Sequence, residues 1–267
     1  RLEKGCPEIH IATRWSKNDI PGRLIQQNLF NDDKAKKIVI PALDQEGNSY
    51  CEAIHSTEKL HKEKKLLSDV IWEAEWQQQP VEAKGLLFPD EDLNKFKLNN
   101  LQKKPEGKVM ATDIADEGDD SLASIIGYQY GNKVYIVDVI FSKEPIEVTK
   151  GRVASKIEEH TPDRAKFESN NGGKGFAMNV KDMIDCNTYI KWETTTSNKH
   201  TRIIMKSGYI KEHFYFREDL EAGNEYYNFM QELKKYNKTG DVKHDDAPDV
   251  ATMLAEFIDE GGSWQFA

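Results

Sequence analysis

The sequence contains little cysteine and no long apolar run. Cys6, Cys51 and Cys186 lie far apart and form no C-x-x-C pair, which suggests a reducing compartment and argues against a zinc site. No apolar stretch approaches the roughly 18 residues that a membrane-spanning helix needs. The sequence begins with Arg rather than Met and no signal peptide follows, so we expect a piece of a longer protein, without a membrane segment.

The chain also lacks an excess of positive charge. It has 37 Lys and Arg against 46 Asp and Glu, a net charge of −9. This balance argues against a basic protein that coats nucleic acid, but it leaves room for local basic surface. A length of 267 residues with 38% hydrophobic residues suffices for one large domain, or for one domain and a remnant of another.

Hydrophobic periodicity divides the chain into two regions, 1–105 and 106–267. The first region predicts the strands 8–15 and 37–41, the helices 16–30 and 58–79, and an irregular connector, 81–105. The second region predicts five strands and five helices. The strands are 109–113, 121–130, 132–141, 164–169 and 188–194, and the helices are 145–160, 176–184, 198–207, 225–236 and 246–258.

The element order of the second region predicts its fold class. Gly131 and Asn132 form a hairpin turn signal between the second and third strands. Three consecutive antiparallel strands, followed by strands that alternate with helices, indicate an α/β domain with a mixed sheet that is covered by helices.

Acidic residues lie at the strand ends of the second region. Asp113 ends its first strand, and Glu168 lies near the end of the fourth. Aspartate is disfavoured in strands and costly to bury unpaired, so a carboxylate at a strand end needs a partner. In an open α/β sheet, strand ends and adjoining helix starts form the usual site. Asp113 alone is equally consistent with an ordinary turn or cap.

The last predicted helix directs two carboxylates towards the sheet. Its apolar stripe includes Val250 and Met253, and extending that stripe backwards reaches Asp249 and Asp246. Capping explains an acid such as Asp245 or Asp246 at a helix start. Capping does not explain Asp249 on the inward face.

These acids predict a metal site. Carboxylates within a few Å of one another raise one another's pKa, and divalent cations remove that conflict. An all-oxygen set of Asp and Glu suits Mg²⁺ or Mn²⁺, and two such ions about 4 Å apart suit phosphodiester displacement. The pattern therefore indicates a metal-dependent nuclease. His244 beside the acids is more consistent with a solvent-facing loop residue than with a ligand.

Two segments near the acids are candidates for DNA contact. The first is a polar turn, whose backbone can approach a phosphate closely. It contains Asn171, Gly172, Gly173 and Lys174. The second is the basic helix 198–207, with Lys199, His200, Arg202 and Lys206. Because phosphate binding needs clustered positive charge, solvated surface remains the alternative for both segments.

Taken together, the motifs resemble the large terminase subunit of tailed bacteriophages, the DNA-packaging motor. Three matching segments are ATDIAD at 111–116, FESNNGG at 167–173 and HDDAPDVAT at 244–252. In the first region, IATRWSKNDIPGRLI at 11–25 resembles the end of the family's ATPase domain, with its coupling motif around Thr13 and Arg14. WQQQPVEAKGLLF at 76–88 resembles the segment that joins ATPase to nuclease.

The resemblance implies a fold and a role for each acid. The fold is ribonuclease H/integrase-like. Asp113, Glu168 and Asp249 match the family's catalytic, metal-binding acids, and Asp246 matches an additional ligand, for which Asp245 is an alternative. Three further acids past the first strand are more consistent with a loop role: Asp116, Asp119 and Asp120.

The resemblance also implies an organisation and partners. Residues 1–105 would be the end of an ATPase domain and its linker, and residues 106–267 the nuclease domain. The sequence has no G-x-x-x-x-G-K-[ST] phosphate loop, so the ATPase core would lie upstream and this chain should not hydrolyse ATP alone. The implied activity is a two-metal endonuclease that cuts concatemeric viral double-stranded DNA during packaging. Its implied partners are the portal protein, the small terminase subunit and the ATPase domain, in the host cytoplasm at the procapsid portal.

Two alternatives stay open at this point. A junction resolvase or a transposase of the same fold would use the same acids, but the segments 11–25 and 76–88 argue against both. A silent domain that only binds DNA or the portal would not need a complete set of acids.

Overall fold

The computed structural model describes residues 9–15, 19–27, 36–67, 69–80, 85–101, 103–114, 121–170, 173–240 and 242–261. Its contacts divide the chain into a first unit, residues 1–83, and a second unit, residues 84–267. Among the described residues, no helix combines the length and the apolarity that crossing a membrane requires.

The first unit contains short helices around a small core. The helices are α1 Ile20–Gln26, α2 Thr57–Leu66 and α3 Asp69–Ile71, and a π-helical turn, Trp72–Trp76, continues α3. Pro21 lies in the first turn of α1, as predicted. The core consists of Leu43, Leu60 and Trp72.

Three predicted elements of the first region differ from the structure. The described residues of the predicted strands, 9–15 and 37–41, form no strand, and Ile11 is 94% exposed. A strand is stabilised by hydrogen bonds to a neighbouring strand. The described part of this unit contains no neighbouring strand for either segment. The single helix predicted over 58–79 is interrupted as well, because Leu67 has an extended backbone at the end of α2.

Seven strands form one mixed sheet in the second unit. They are β1 Asn94–Phe96, β2 Gly107–Asp113, β3 Leu122–Tyr130, β4 Lys133–Ser142, β5 Arg164–Glu168, β6 Tyr189–Glu193 and β7 Phe214–Arg217. Their order across the sheet is β1-β7-β4-β3-β2-β5-β6. The strands β2, β3 and β4 are antiparallel neighbours, as predicted, and the remaining pairs are parallel.

Helices cover both faces of this sheet. They are α4 Ile146–His160, α5 Gly173–Asp182, α6 Lys199–His213, α7 Glu225–Lys235 and α8 Asp246–Gly261. On one face, α4 and α5 share a core with Met110 and Phe167. Val109 points to the other face, because successive residues of a strand point to opposite faces. There Leu254 of α8 and Val109 both lie close to Gly127. Both α6 and α7 pack against α8.

Two strands were not predicted, and they move the boundary between the units. The strand β1 pairs with β7, and Leu86 forms a bridge with Asn237, so residues 85–101 belong to the second unit. The predicted boundary at 105/106 therefore differs from the division at 83/84. The assignment of the first region to an ATPase end stays a prediction.

Candidate metal centre

Three carboxylates meet at one edge of the sheet, where β2 and β5 end. These strands are parallel neighbours, and Thr112 pairs with Phe167. The next residues, Asp113 and Glu168, therefore lie side by side. One oxygen each of Asp113, Glu168 and Asp249 lies within 4.8 Å of the others. We call these three residues the carboxylate triad.

The first turn of α8 delivers the third member of the triad. Val250, Met253 and Phe257 are buried on the side of α8 that packs against the sheet, as their spacing predicts. Asp249 precedes this stripe and is only 2% exposed. It faces inward with the apolar residues, so it does not act as a solvent-exposed cap.

The triad is electrostatically unfavourable in the metal-free chain. Burial and the negative charge of Asp249 raise the pKa of Asp113 well above its ordinary value, and Lys199 opposes this effect. Burial also raises the pKa of Asp249 to about 6, although the charges of Lys199 and Arg202 lower it. Both carboxylates therefore resist ionisation until positive charge is added.

One buried oxygen of the triad has no hydrogen-bond partner. This atom is Oδ1 of Asp249. Arg202 Nη1 forms an ion pair with it at 3.3 Å without hydrogen-bond geometry. The Nε and Nη2 atoms of the same guanidinium donate hydrogen bonds to Glu256 on α8. Buried polar atoms are normally satisfied, so this oxygen is suited to a ligand that the protein itself does not provide.

Lys199, at the start of α6, is the main positive charge beside the triad. Its Nζ lies 3.3 Å from Asp249 Oδ2, 3.7 Å from Asp113 Oδ2 and 2.9 Å from Asp245 Oδ1. Burial disfavours the charge on Lys199, but the three carboxylates outweigh this effect and raise its pKa. Lys199 therefore remains protonated and compensates part of the negative charge.

The basic helix predicted over 198–207 makes ion pairs within the protein. Lys206 pairs with Asp259, and Arg202 pairs with Glu256, both on α8. His200 Nδ1 lies 2.8 Å from the hydroxyl of Tyr236. These contacts fix α6 against α8 and the loop before it, so they account for most of the positive charge that suggested DNA contact.

Asp246 and Asp245 lie beside the triad. Asp246 Oδ2 accepts a hydrogen bond of 2.9 Å from the backbone N–H of Ser121, and its Oδ1 lies 3.9 Å from Lys199. Asp245 is the nearest carboxylate to Lys199. Neither belongs to the group whose oxygens lie within 4.8 Å, and the prediction of a fourth ligand stays a prediction.

The polar turn after β5 supports Glu168. Asn170 donates a hydrogen bond to Glu168 Oε1, and Gly173 begins α5 directly against the carbonyl of Glu168. A Cβ on Gly173 would lie 2.1 Å from that oxygen. Gly173 therefore permits a close approach of backbone to backbone, and Lys174 after it is exposed. The predicted DNA contacts Asn171 and Gly172, and the loop acids Asp116, Asp119 and Asp120, lie outside the described residues.

The chemistry of the triad fits a hard divalent cation. All donors are carboxylate oxygens, which Mg²⁺ and Mn²⁺ prefer, and a cation would relieve the raised pKa values and satisfy Asp249 Oδ1. The sequence predicted these three residues from their positions. It contained no signal for the role of Lys199 as an internal counter-charge, because that role depends on packing of α6 against α8.

A second group of possible ligands lies in the middle of β4 and at the C-terminal end of α4. Asp138, Glu159 and His160, the Asp138 cluster, also bring ligand atoms within 4.8 Å of one another. Here the protein provides its own partners: Asp138 Oδ2 lies 2.7 Å from Lys156 Nζ and 2.9 Å from His160 Nε2. Although burial acts in the opposite direction, these hydrogen bonds and charges lower the pKa of Asp138 to about 2.

Comparison with known proteins finds similarity in structure. No protein-family model matches the sequence, and no curated protein matches it. A large terminase from a thermophilic bacteriophage, in complex with ATP-γ-S, matches with a TM-score of 0.57 at 11% identity, over 76% of this chain and 53% of that one.

This chain has the fold of part of a large terminase. The predicted ribonuclease H-like mixed sheet is thereby confirmed, while 11% identity limits the likeness to the fold. The chain spans about half the length of the thermophilic phage protein, with 53% covered.

Two separate nuclease domains match with lower scores. The nuclease domain of the large terminase subunit of bacterial virus Sf6 has a TM-score of 0.45 at 11% identity, over 62% of this chain and 94% of that one. The human cytomegalovirus terminase nuclease domain, Mn-soaked and inhibitor-bound, has a TM-score of 0.48 at 12% identity, over 64% and 94%.

Proposed function

We propose that this chain is a metal-dependent endonuclease of the terminase type, which cuts concatemeric viral double-stranded DNA during genome packaging. The observation that carries the proposal is the carboxylate triad on β2, β5 and α8, with a buried oxygen that accepts no hydrogen bond. The large-terminase fold supports it, because the triad lies where strand ends and a helix start form the usual site of an open α/β sheet.

In this proposal Asp113, Glu168 and Asp249 hold Mg²⁺ or Mn²⁺, with two ions in the active complex. Bound ions of this kind activate water and neutralise charge on the phosphate. The backbone hydrogen bonds between β2 and β5 fix the separation of Asp113 and Glu168. Burial of Asp113 and Asp249 keeps water from competing for the inner oxygens, and Lys199 limits repulsion between the carboxylates before a metal ion binds.

The DNA contacts and the partners belong to the same proposal. The turn with Asn171, Gly172, Gly173 and Lys174 would contact the phosphate backbone beside Glu168, with little sequence preference. The portal protein, the small terminase subunit and an ATPase domain of the same protein would direct the cut, in the host cytoplasm at the procapsid portal. This chain alone would not hydrolyse ATP.

A plasmid-cleavage assay tests the nuclease. The purified chain is incubated with supercoiled plasmid in EDTA, Mg²⁺ or Mn²⁺, beside Asp113→Asn, Asp249→Asn and the matched control Asp138→Asn. We expect metal-dependent cutting that falls about 10³-fold in both triad variants, since each removes a charged ligand. The control should cut at the wild-type rate, because Asp138 lies in the other cluster.

Two results would count against the proposal. Equal cutting by wild type and both triad variants would mean that the activity comes from elsewhere. Absence of cutting together with absence of Mn²⁺ binding, measured by calorimetry, would mean that the triad is not a metal site. A strong preference for four-way junctions over plasmid would favour the resolvase alternative.

A further inference from the structure

The start of α8 is held by side chains from other elements. The first N–H groups of a helix have no partner within it. At α8 the N–H of Ala247 donates a hydrogen bond of 2.9 Å to Glu232 Oε1 on α7. On the other side, Asp246 accepts the N–H of Ser121, just before β3. Two carboxylates therefore connect this turn to α7 and to the sheet.

This anchoring bears directly on the third member of the triad. Ala247 is fully buried and precedes Asp249 by two residues in the same helical turn. The hydrogen bond from Ala247 to Glu232 therefore fixes the turn that carries Asp249. Hydrogen bonds to a carboxylate are among the strong ones, and a negative charge is favourable at a helix N-terminus. Metal ligands must hold their distances to within about 0.2 Å, so a small displacement of this turn is costly.

We propose that Glu232 is a positioning residue of the metal centre, which sets the orientation of Asp249 through the backbone of Ala247. The inference rests on the proposed function, since it assigns a role in the same site. Glu232 itself does not belong to the group of ligand atoms around the triad. It acts through the helix start, and its removal should change metal affinity without removing a ligand.

The chain offers a matched control on the same helix. Glu225, at the first turn of α7, accepts the N–H of Phe141 at 3.2 Å and pairs with Arg152. It is thus another carboxylate of α7 that accepts a backbone N–H, but it anchors β4 and α4. Loss of Glu225 should reduce stability without affecting α8.

The test compares Glu232→Ala, Glu232→Gln and Glu225→Ala in the full chain. Calorimetry with Mn²⁺ alone measures affinity, and amide hydrogen exchange measures the protection of Ala247. Partners behind metal ligands contribute about 10–100-fold to affinity, so we expect Glu232→Ala to bind Mn²⁺ at least about 10-fold more weakly and to lose protection at Ala247. Glu232→Gln keeps an accepting oxygen and should stay within about twofold of wild type. Glu225→Ala should bind Mn²⁺ as wild type does.

The outcomes separate this inference from the proposed function. Wild-type affinity in a folded Glu232→Ala variant would overturn the inference alone. Equal loss in Glu232→Gln and Glu232→Ala would also overturn it, because the charge rather than the hydrogen bond would then matter. A wild-type chain whose Mn²⁺ binding does not depend on Asp113 would overturn the proposed function, and the positioning role with it.

Discussion

The carboxylate triad and the Asp138 cluster are both groups of three possible metal ligands, one all-carboxylate and one with a histidine, and their electrostatics are opposite. Each brings three ligand atoms within 4.8 Å. In the Asp138 cluster, Lys156 and His160 lower the pKa of Asp138 to about 2. In the triad, burial and neighbouring acids raise the pKa of Asp249 to about 6, even though Lys199 lies beside it.

This difference separates a cluster whose charges are compensated within the protein from one whose charges are not. The Asp138 cluster is complete within the protein, and its ion pairs connect β4 to α4. The triad is incomplete, because a buried oxygen of Asp249 has no hydrogen-bond partner. Perturbed carboxylates of this kind concentrate at functional sites, so the opposite pKa directions distinguish two clusters whose ligand atoms are equally close together.

The largest expected contrast is in the pH dependence of stability. Asp249 has a raised pKa in the folded state, so its contribution to stability is complete below about pH 4. This contribution to the free energy of unfolding, on the order of 3 kcal/mol, is lost as the pH rises through about 6. Urea unfolding in EDTA from pH 4 to 7 should show a fall in the free energy of unfolding that is smaller in Asp249→Asn.

The Asp138 cluster should show the opposite slope. The pKa of Asp138 is lowered in the folded state, so its contribution is present above about pH 4. This contribution to the free energy of unfolding, about 2 kcal/mol, is lost as the pH falls through about 2. Acid unfolding of wild type and Asp138→Asn measures the loss, which should be smaller in the variant. The same acid sensitivity in both chains would contradict the assignment.

Metal addition should act on one cluster only. A ligand that binds only the folded state stabilises it by about 2.7 kcal/mol at a free concentration 100 times its Kd. Mn²⁺ should therefore raise the melting temperature of wild type and of Asp138→Asn. It should not raise that of Asp249→Asn, and an equal rise in this variant would place the bound metal elsewhere.

The triad should also respond to a change behind Glu168. In Gly173→Ala the new Cβ would meet the carbonyl of Glu168 at 2.1 Å, so the strand end must move. We expect Mn²⁺ affinity to fall about 10-fold, which is comparable to the effect of mutating a residue that supports a metal ligand. Gly175→Ala on the same helix adds a Cβ in open space and should bind normally. Calorimetry with Mn²⁺ measures the affinity of both variants, and equal affinities would contradict this prediction.

The smallest expected contrast is in the stability of the metal-free variants. Asp113→Asn removes a buried carboxylate that resists ionisation, so it should stabilise the metal-free protein at pH 7 by about 1 kcal/mol. Asp138→Asn weakens hydrogen bonds to a charged group and should destabilise it by a similar amount, about 1 kcal/mol. Urea unfolding should show changes of opposite sign in the free energy of unfolding of the two variants. Changes of the same sign would contradict the difference between the triad and the Asp138 cluster.

The sequence allowed much of the second unit to be predicted, because its signals are local. The hairpin turn at Gly131 and Asn132 and the β-branched and aromatic residues of β3 and β4 are features of neighbouring residues. The stripe of Val250, Met253 and Phe257 predicted that these residues are buried, and extending it backwards predicted the burial of Asp249. It did not predict that α8 is buried on every side over residues 246–255.

The sequence did not predict features that depend on distant partners. The apolar segment 37–41 has the pattern of a strand, but no neighbouring strand pairs with it in the described residues. The strand β7 was missed because α6 extends to His213 and leaves only four residues for the strand. The positive charge of α6 suggested DNA, whereas its acceptors on α8 lie about fifty residues further along the chain.

The position of α8 in the chain has a consequence for synthesis. The triad takes its members from β2, β5 and the last described helix, and domains emerge from the ribosome with their N-terminal parts first. All seven strands of the sheet are therefore synthesised before Asp249. The three carboxylates come together only when α8 packs against the sheet, so a chain that ends before α8 has no complete carboxylate triad.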